Sequence, residues 1–411
     1  MFRRQIERRL RAALGDARVV LLNGARQTGK STLAQALAAE RGGQYVTLDD
    51  PAVAGLVRAD PGALVRDAGG LLVIDEVQHA PELFAALKLE VDRRRRPGRF
   101  LLTGSANVWL LPRLADSLAG RMEVLPLYPL SQGELGGAEA NLVERLFSGS
   151  PWRVARLPLE RLDVCRRLSA GGFPEAVARK AGERREAWFR SYVTSLLQRD
   201  VRDLAHIEGL TDMPRLLSLL AARASALMNM SELSRTCGLA HSTLRRYLAL
   251  LEATFILQPL PAWSANIGKR LVKAAKIHLV DAGLAAHLRG DAEEASLARS
   301  PALGALLETF VLQEVRKLIA FGGVAAEPYH FRTATGQEVD IVLEGPGRRV
   351  VGLEVKATAS VGAADFAGLR ALAEAAGKKF ERGALLYLGE QCLPFGERFW
   401  ALPVSALWTA L

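Results

Sequence analysis

The chain has 411 residues, which at about 150 residues per domain leaves room for roughly two to four domains and excludes a peptide hormone or a small disulfide scaffold. Its 49% hydrophobic and 24% charged residues are those of an ordinary globular protein, neither disordered nor fibrous. A net charge of +10 favours polyanionic partners through counterion release and electrostatic steering, although an arginine-heavy genome gives the same excess. Cys165, Cys237 and Cys392 stand far apart without a CxxC spacing, which argues against a disulfide framework or a zinc site and for a reducing cytoplasm. No apolar run reaches the ~18 residues that cross a bilayer. The start MFRRQIERRL carries charge without the apolar stretch of a signal peptide. The expectation is a soluble cytoplasmic protein with no membrane partner.

Up to residue 132, short β-rich runs (RVVLLNG, YVTLDD, LLVIDEV, FLLTGSA) alternate with helical patterns (STLAQALAAE, PELFAALKLEV). Strand-helix alternation predicts a parallel α/β sheet with helices on its faces. Residues 133–225 read as helical, with loops at GELGGAEA and SGSPW. Residues 226–290 read as short helices, a longer one and a hairpin, and 291–411 return to α/β alternation. The expected division is therefore 1–132, 133–225, 226–290 and 291–411.

GARQTGKS is a complete G-x-x-x-x-G-K-[ST] phosphate loop between the strand VVLLN and the helix TLAQALAAE. Gly24, Ala25, Gln27, Thr28, Gly29, Lys30, Ser31 and Thr32 are its candidate nucleotide-binding residues. Backbone N–H groups curl around phosphates, Lys30 neutralises β/γ oxygens, and the Ser31 hydroxyl ligates Mg²⁺ at a positive helix N-terminus. The strand LLVIDE delivers Asp75 and Glu76 at its C-terminal end, where ligands collect in open α/β sheets. Asp75 is the candidate magnesium residue and Glu76 the candidate general base for water. RFLLTGSAN ends in Thr103, Ser105 and Asn107, either water-orienting groups or ordinary turn residues. Arg121, in SLAGRMEVLPL, is a candidate catalytic arginine or a surface residue.

The order of GARQTGKST, LLVIDEVQHAPEL, RPGRFLLTGSAN, SLAGR, GGFPEAV, LLQRDV, IHLVDAGL and GQEVDIVL with LEVK resembles the AAA-type (AAA_14) ATPases that carry a C-terminal domain of unknown function, DUF4143. The resemblance implies an AAA-type P-loop α/β core with ATP and Mg²⁺ as cofactors. It casts Asn107 or Ser105 as first sensor and Arg121 as a finger acting across a subunit boundary of a homo-oligomer, such as a hexameric ring. No second sensor stands out, and Arg199 in LLQRDV is a candidate.

SELSRTCGLAHSTLRRYLALLEA has the pattern of a helix-turn-helix, with a turn at Gly238, a second helix capped by Ser242, and Arg245 and Arg246 exposed on it. The segment that follows reads as a wing bearing Lys269, Arg270, Lys273 and Lys276, suited to DNA backbone phosphates. Winged helices also bind proteins or serve as lids. Farther on, Val339, Ile341 and Leu343 alternate with Asp340 and Glu344, and Leu353 and Val355 with Glu354 and Lys356. That puts Asp340, Glu354 and Lys356 on one strand face, in a D-x(n)-E-x-K arrangement that resembles PD-(D/E)xK nucleases, with Glu308 as a possible third acid. A hairpin with a solvated charged face has the same period.

The expected fold is thus α/β: an AAA-type parallel-sheet core, a helical lid and winged-helix module, and a nuclease-like α/β domain. The expected function is a Mg²⁺-dependent ATPase acting on DNA as a motor or remodelling factor. The alternatives are a nucleotide switch with a protein partner, as in toxin-antitoxin or defence systems, and an ATP-regulated nuclease.

Overall fold

The computed structural model describes residues 2–66, 69–107, 118–150, 152–201, 211–270 and 273–410, apart from the side chains of residues 199, 200, 267 and 269. Five parallel strands, β1 (Val19–Asn23), β2 (Gln44–Thr47), β3 (Leu72–Asp75), β4 (Phe100–Gly104) and β5 (Met122–Pro126), form a sheet in the order β2-β3-β4-β1-β5. β1, β3 and β4 are buried along their whole length, as parallel strands covered by helices on both faces must be. Side chains alternate accordingly. Val20, Leu22, Val73 and Leu101 meet the helices Glu7–Asp16 and Lys30–Glu40, while Val19, Leu21, Ile74 and Leu102 meet the helix Leu83–Arg93. The strand order sets β4 between β1, which feeds the phosphate loop, and β3, which ends in Asp75.

A helical segment follows, with helices Arg161–Ala170, Glu183–Ser195, Met213–Ala222, Met230–Cys237, His241–Ala253 and Ala282–Arg289. Met230–Cys237 is capped by the Asn229 side chain and ends at Gly238 in the left-handed region. His241–Ala253 has Ala240 at its N-cap and no side-chain cap, so Ser242 sits inside the first turn and is not the cap expected. The wing consists of isolated antiparallel bridges pairing Leu257 with Leu279 and Leu260 with Lys276, and Lys276 also bridges Leu227.

The second sheet has the order β10-β11-β9-β8-β7-β6. β7 (Glu338–Glu344) pairs antiparallel with both β6 (Glu327–Arg332) and β8 (Val350–Lys356). β9 (Phe380–Tyr387) runs parallel to β8, β11 (Phe399–Pro403) parallel to β9, and β10 (Leu393–Pro394) antiparallel to β11. Helix Leu303–Ala320 packs with Ile341, Leu343, Val351 and Leu353, and helix Ala367–Ala376 packs with Val342, Val350 and Leu385 through Leu369 and Leu372. β7 and β8 therefore have no solvated face, contrary to the one-sided pattern that alternation suggests. One buried apolar cluster runs from Ile6 to Trp408, stitched by polar contacts such as Lys317 Nζ to the Leu130 carbonyl (3.0 Å) and the Gln132 N–H to Glu314 (2.8 Å). Cys165, Cys237 and Cys392 are buried and free. Among the described residues no helix is long and apolar enough to cross a membrane.

Candidate functional site

The phosphate loop leaves β1 at Asn23 and closes on the helix Lys30–Glu40. A Cβ at Gly24 would collide with the Leu127 carbonyl oxygen, so only glycine lets the loop pass there. Gly29, the helix N-cap, has φ of 95° and supplies no side-chain cap, which leaves first-turn N–H groups as donors for an anion. Lys30 is buried and folds back, donating to the Gly24 and Ala25 carbonyls at 3.0 Å each. Thr28 Oγ1 donates to the Ala25 carbonyl (3.0 Å), and Arg4 donates to the Thr28 carbonyl (2.6 Å) while pairing with Glu134 (2.9 Å). The N-terminal segment thus braces the loop.

Asp75 is held from three sides. Ser31 Oγ donates to Oδ1 at 3.1 Å, Tyr45 donates to Oδ2 at 2.7 Å, and Thr103 Oγ1 also donates to Oδ1. Burial and the bond to Asp75 push the Tyr45 phenol up to about 12. Glu76 has φ 56° and ψ 49°, a left-handed conformation costing a non-glycine residue on the order of 1–3 kcal/mol and concentrated at functional sites. Its N–H donates to Thr103 Oγ1 (3.2 Å), and its carboxylate accepts from Gln78 Nε2 (2.5 Å), which also donates to Ser105 Oγ (2.9 Å). Burial pushes Glu76 up, but Lys30 and the bonds from Gln78 and Ser105 outweigh it and hold the carboxyl below its usual range. Of the β4 candidates, Thr103 and Ser105 enter this network directly, while the Asn107 N–H donates to the Ala253 carbonyl at the end of helix His241–Ala253 (2.7 Å).

A cleft of ≈ 520 Å³ opens where Gln27, Gly29 and Thr32 face Arg179, Trp188 and Tyr192. Trp188 and Tyr192 are stacked, with centroids 5.1 Å apart and planes 14° apart. Sequence reasoning missed Tyr45 and Arg4, because nothing local to them marks a partner 24 to 130 residues away, and it missed Gln78 and Arg179, which the fold brings to Ser105 and to the cleft. The side chain of Arg199 lies outside the described residues. Arg121 sits just before β5, whose first residue Met122 pairs with Val19 and whose last, Pro126, pairs with Asn23. At about 3.3 Å per residue it lies about 16 Å from the loop's level, at the opposite end of the strands.

Arg245 and Arg246 are exposed, as expected. The wing differs. Arg270 is bound to Glu344 (2.6 and 3.2 Å) and stacks over Trp263 and Tyr329. Lys276 is buried in an ion cluster with Glu308 and Asp340, so neither faces outward. Carboxylates of strand β7 (Asp340 and Glu344) and of helix Leu303–Ala320 (Glu308) claim both cations. Lys273 is exposed and donates to the Arg332 carbonyl (3.3 Å), and the Lys269 side chain lies outside the described residues. Asp340 and Glu354 do come together, each one step beyond the pair Ile341–Leu353, with Lys356 bonded to Glu354 (2.9 Å).

This fold and loop are those of a P-loop ATPase of the AAA type. Residues 16–136 match the family described as AAA domain (AAA_14), and residues 303–407 match the domain of unknown function DUF4143. A further domain of unknown function, DUF8612, matches residues 161–295. Uncharacterized proteins of Mycobacterium tuberculosis and Mycobacterium bovis are each 33% identical over 407 residues, covering 99% of this chain and 85% of theirs. The chain belongs to this family of AAA-domain proteins with a C-terminal DUF4143 domain. Among solved structures it is similar to a Walker-type ATPase of Pyrococcus abyssi, 16% identical, covering 70% of this chain and 96% of that one with a TM-score of 0.40. It is also similar to the RuvB Holliday junction branch migration motor of Thermotoga maritima, 18% identical, covering 62% and 89% with a TM-score of 0.30.

Proposed function

We propose that the chain is a Mg²⁺-dependent ATPase that acts on DNA, organised in the four parts 1–132, 133–225, 226–290 and 291–411. One observation supports hydrolysis above all others: Ser31, Asp75 and Glu76 converge beside an uncapped helix N-terminus, with Thr103 bonded to both acidic positions. ATP fits this donor set. The N–H groups of residues 24–32 and the Lys30 ammonium receive its phosphates, and Trp188 and Tyr192 line the cleft beyond them. Ser31 and Asp75 offer the hard oxygens that Mg²⁺ prefers, and the ion supplies charge neutralisation on the transferring phosphoryl group. Glu76, kept ionised by Lys30 and Gln78, takes the proton of the attacking water. Arg179 reaches the cleft from the helical segment and is a second candidate, beside Arg199, for the second sensor. The test is ATP turnover by the wild type and its loss in Glu76→Gln with nucleotide binding kept.

DNA contact is supported by the exposed Arg245 and Arg246 on helix His241–Ala253, whose last turn meets Asn107 at the end of β4. Duplex, branched or single-stranded DNA should stimulate turnover. A nucleotide switch with a protein partner is the second reading, favoured by the internal pairing of Arg270 and Lys276, which takes two cations from the wing. Turnover indifferent to every DNA form selects it. A homo-oligomer is part of the proposal, since Arg121 is too far from its own phosphate loop to serve it.

A further inference from the structure

The D-x(n)-E-x-K arrangement implies a divalent metal held by Asp340, Glu354 and a third acid. The residues do not fit one. Lys276 Nζ lies 2.8 Å from Glu308 Oε1 and 2.9 Å from Asp340 Oδ1, bridging the two carboxylates as a metal ion would. Among the described residues no group of three His, Cys, Asp or Glu is arranged to hold a metal ion. We propose that Lys276 is a tethered cation standing in the place of that metal, so that the cluster is a closed ion latch.

Four relationships carry this. Lys276 is fixed by its backbone, exchanging both bonds with Leu260 (2.9 and 3.0 Å), so its ammonium is delivered by the middle of the chain to acids of the C-terminal sheet. Lys276 and the three acids are buried, with Lys276 exposed by 4%, Glu354 by 7%, Glu308 by 8% and Asp340 by 9%, while Lys356 reaches the surface. Charge nearly closes without a metal, because three carboxyls face the two ammonium groups of Lys276 and Lys356. Adding a dication beside Lys276 would leave excess positive charge in a buried site. Finally, two acceptors are left over: Glu354 Oε2 has no partner, and His278 Nε2, also without one, sits 3.7 Å from the Glu308 oxygen that Lys276 holds. His278 Nδ1 is engaged by Thr309 (3.1 Å). Withdrawal of Lys276 thus frees two carboxylate oxygens, one of them 3.7 Å from His278 Nε2.

The probe is Mn²⁺ alone, titrated into the full nucleotide-free chain and followed by electron paramagnetic resonance. Wild type and Asp340→Asn/Glu354→Gln should bind equal amounts. Lys276→Met should bind about one additional ion per chain, because the two carboxylates lose their counter-cation and Mn²⁺ displaces any proton they take up, and Lys276→Met/Asp340→Asn should lose it again. The latch is overturned if wild type binds an ion that Asp340→Asn/Glu354→Gln lacks, or if folded Lys276→Met gains none. Should Lys276→Met fail to fold in EDTA, Mn²⁺ must restore its native circular dichroism, and failure of that rescue also overturns the proposal.

Discussion

Arg121 and Asp92 form a two-pronged ion pair, Nε to Oδ1 at 2.8 Å and Nη2 to Oδ2 at 3.0 Å, at the end of the sheet's strands opposite the phosphate loop. The pairing lowers the Asp92 pKa and raises that of Arg121, so both stay charged. A catalytic role for Arg121 then requires a neighbouring chain whose phosphate loop faces this end of the sheet. Arg121→Ala alone and Glu76→Gln alone should each abolish most turnover, whereas mixtures should recover part of it at interfaces holding both groups intact. No recovery at any mixing ratio, with exchange verified by mass photometry, would reduce Arg121 to a partner of Asp92.

Glu76 is ionised across the neutral range because Lys30, Gln78 and Ser105 outweigh its burial. Glu76→Gln should bind ATP about as tightly as wild type yet lose turnover by roughly 10² or more, since an amide cannot accept the water proton. The sign of the shift also fixes a pH profile. A base with a depressed pKa loses function only as pH falls through that depressed value, so the Glu76-dependent limb of kcat should lie below the usual glutamate range. A limb near neutrality that Glu76→Asp displaces would contradict the assignment.

What could be read from the sequence was what is local. The phosphate loop, the Asp75–Glu76 strand end and the place of Thr103, Ser105 and Arg121 each lie within one strand-turn unit, and strand periodicity finds them. The helix-turn-helix spacing and the adjacency of Asp340, Glu354 and Lys356 were legible for the same reason. Tyr45 on Asp75, Arg4 on Thr28 and Lys276 on Asp340 join different elements, up to 64 residues apart for this last pair. A lysine on a supposed basic wing carries no local mark that buried acids will claim it. Nor does alternation along β7 and β8 reveal that helix Ala367–Ala376 covers their second face.

Arg245 and Arg246 are exposed on one turn of helix His241–Ala253, where a polyanion can reach both guanidinium groups together. If they contact backbone phosphates, Arg245→Ala/Arg246→Ala should flatten the dependence of log affinity on log salt by ~0.9 per lost contact on duplex DNA. Arg270→Ala should act differently, lowering thermal stability through Glu344 and Trp263 while leaving the salt slope unchanged. Fluorescence anisotropy over a salt series separates the two. An unchanged affinity and slope in the double variant would favour the protein-partner reading.

Asp281, in VDAGL, joins two sequence segments that lie far apart along the chain: its carboxylate accepts from the Gly172 N–H at 2.7 Å and caps helix Ala282–Arg289 through the Leu284 N–H at 2.9 Å. Asp281→Ala should strand both buried donors at roughly 1–3 kcal/mol each, visible as a lower Tm and as faster limited proteolysis of the helical segment. Burial raises the Asp281 pKa more than Lys317 and the backbone donors lower it. An acid whose folded pKa is raised contributes stability below its unfolded pKa and loses it as pH rises through the folded one. Asp281→Asn has no such titration. The gap in stability between wild type and Asp281→Asn should therefore narrow as pH rises from the ordinary aspartate range toward neutrality, measured by urea unfolding at several pH values. A gap that widens over that interval would mean the backbone donors, not burial, dominate at this carboxylate.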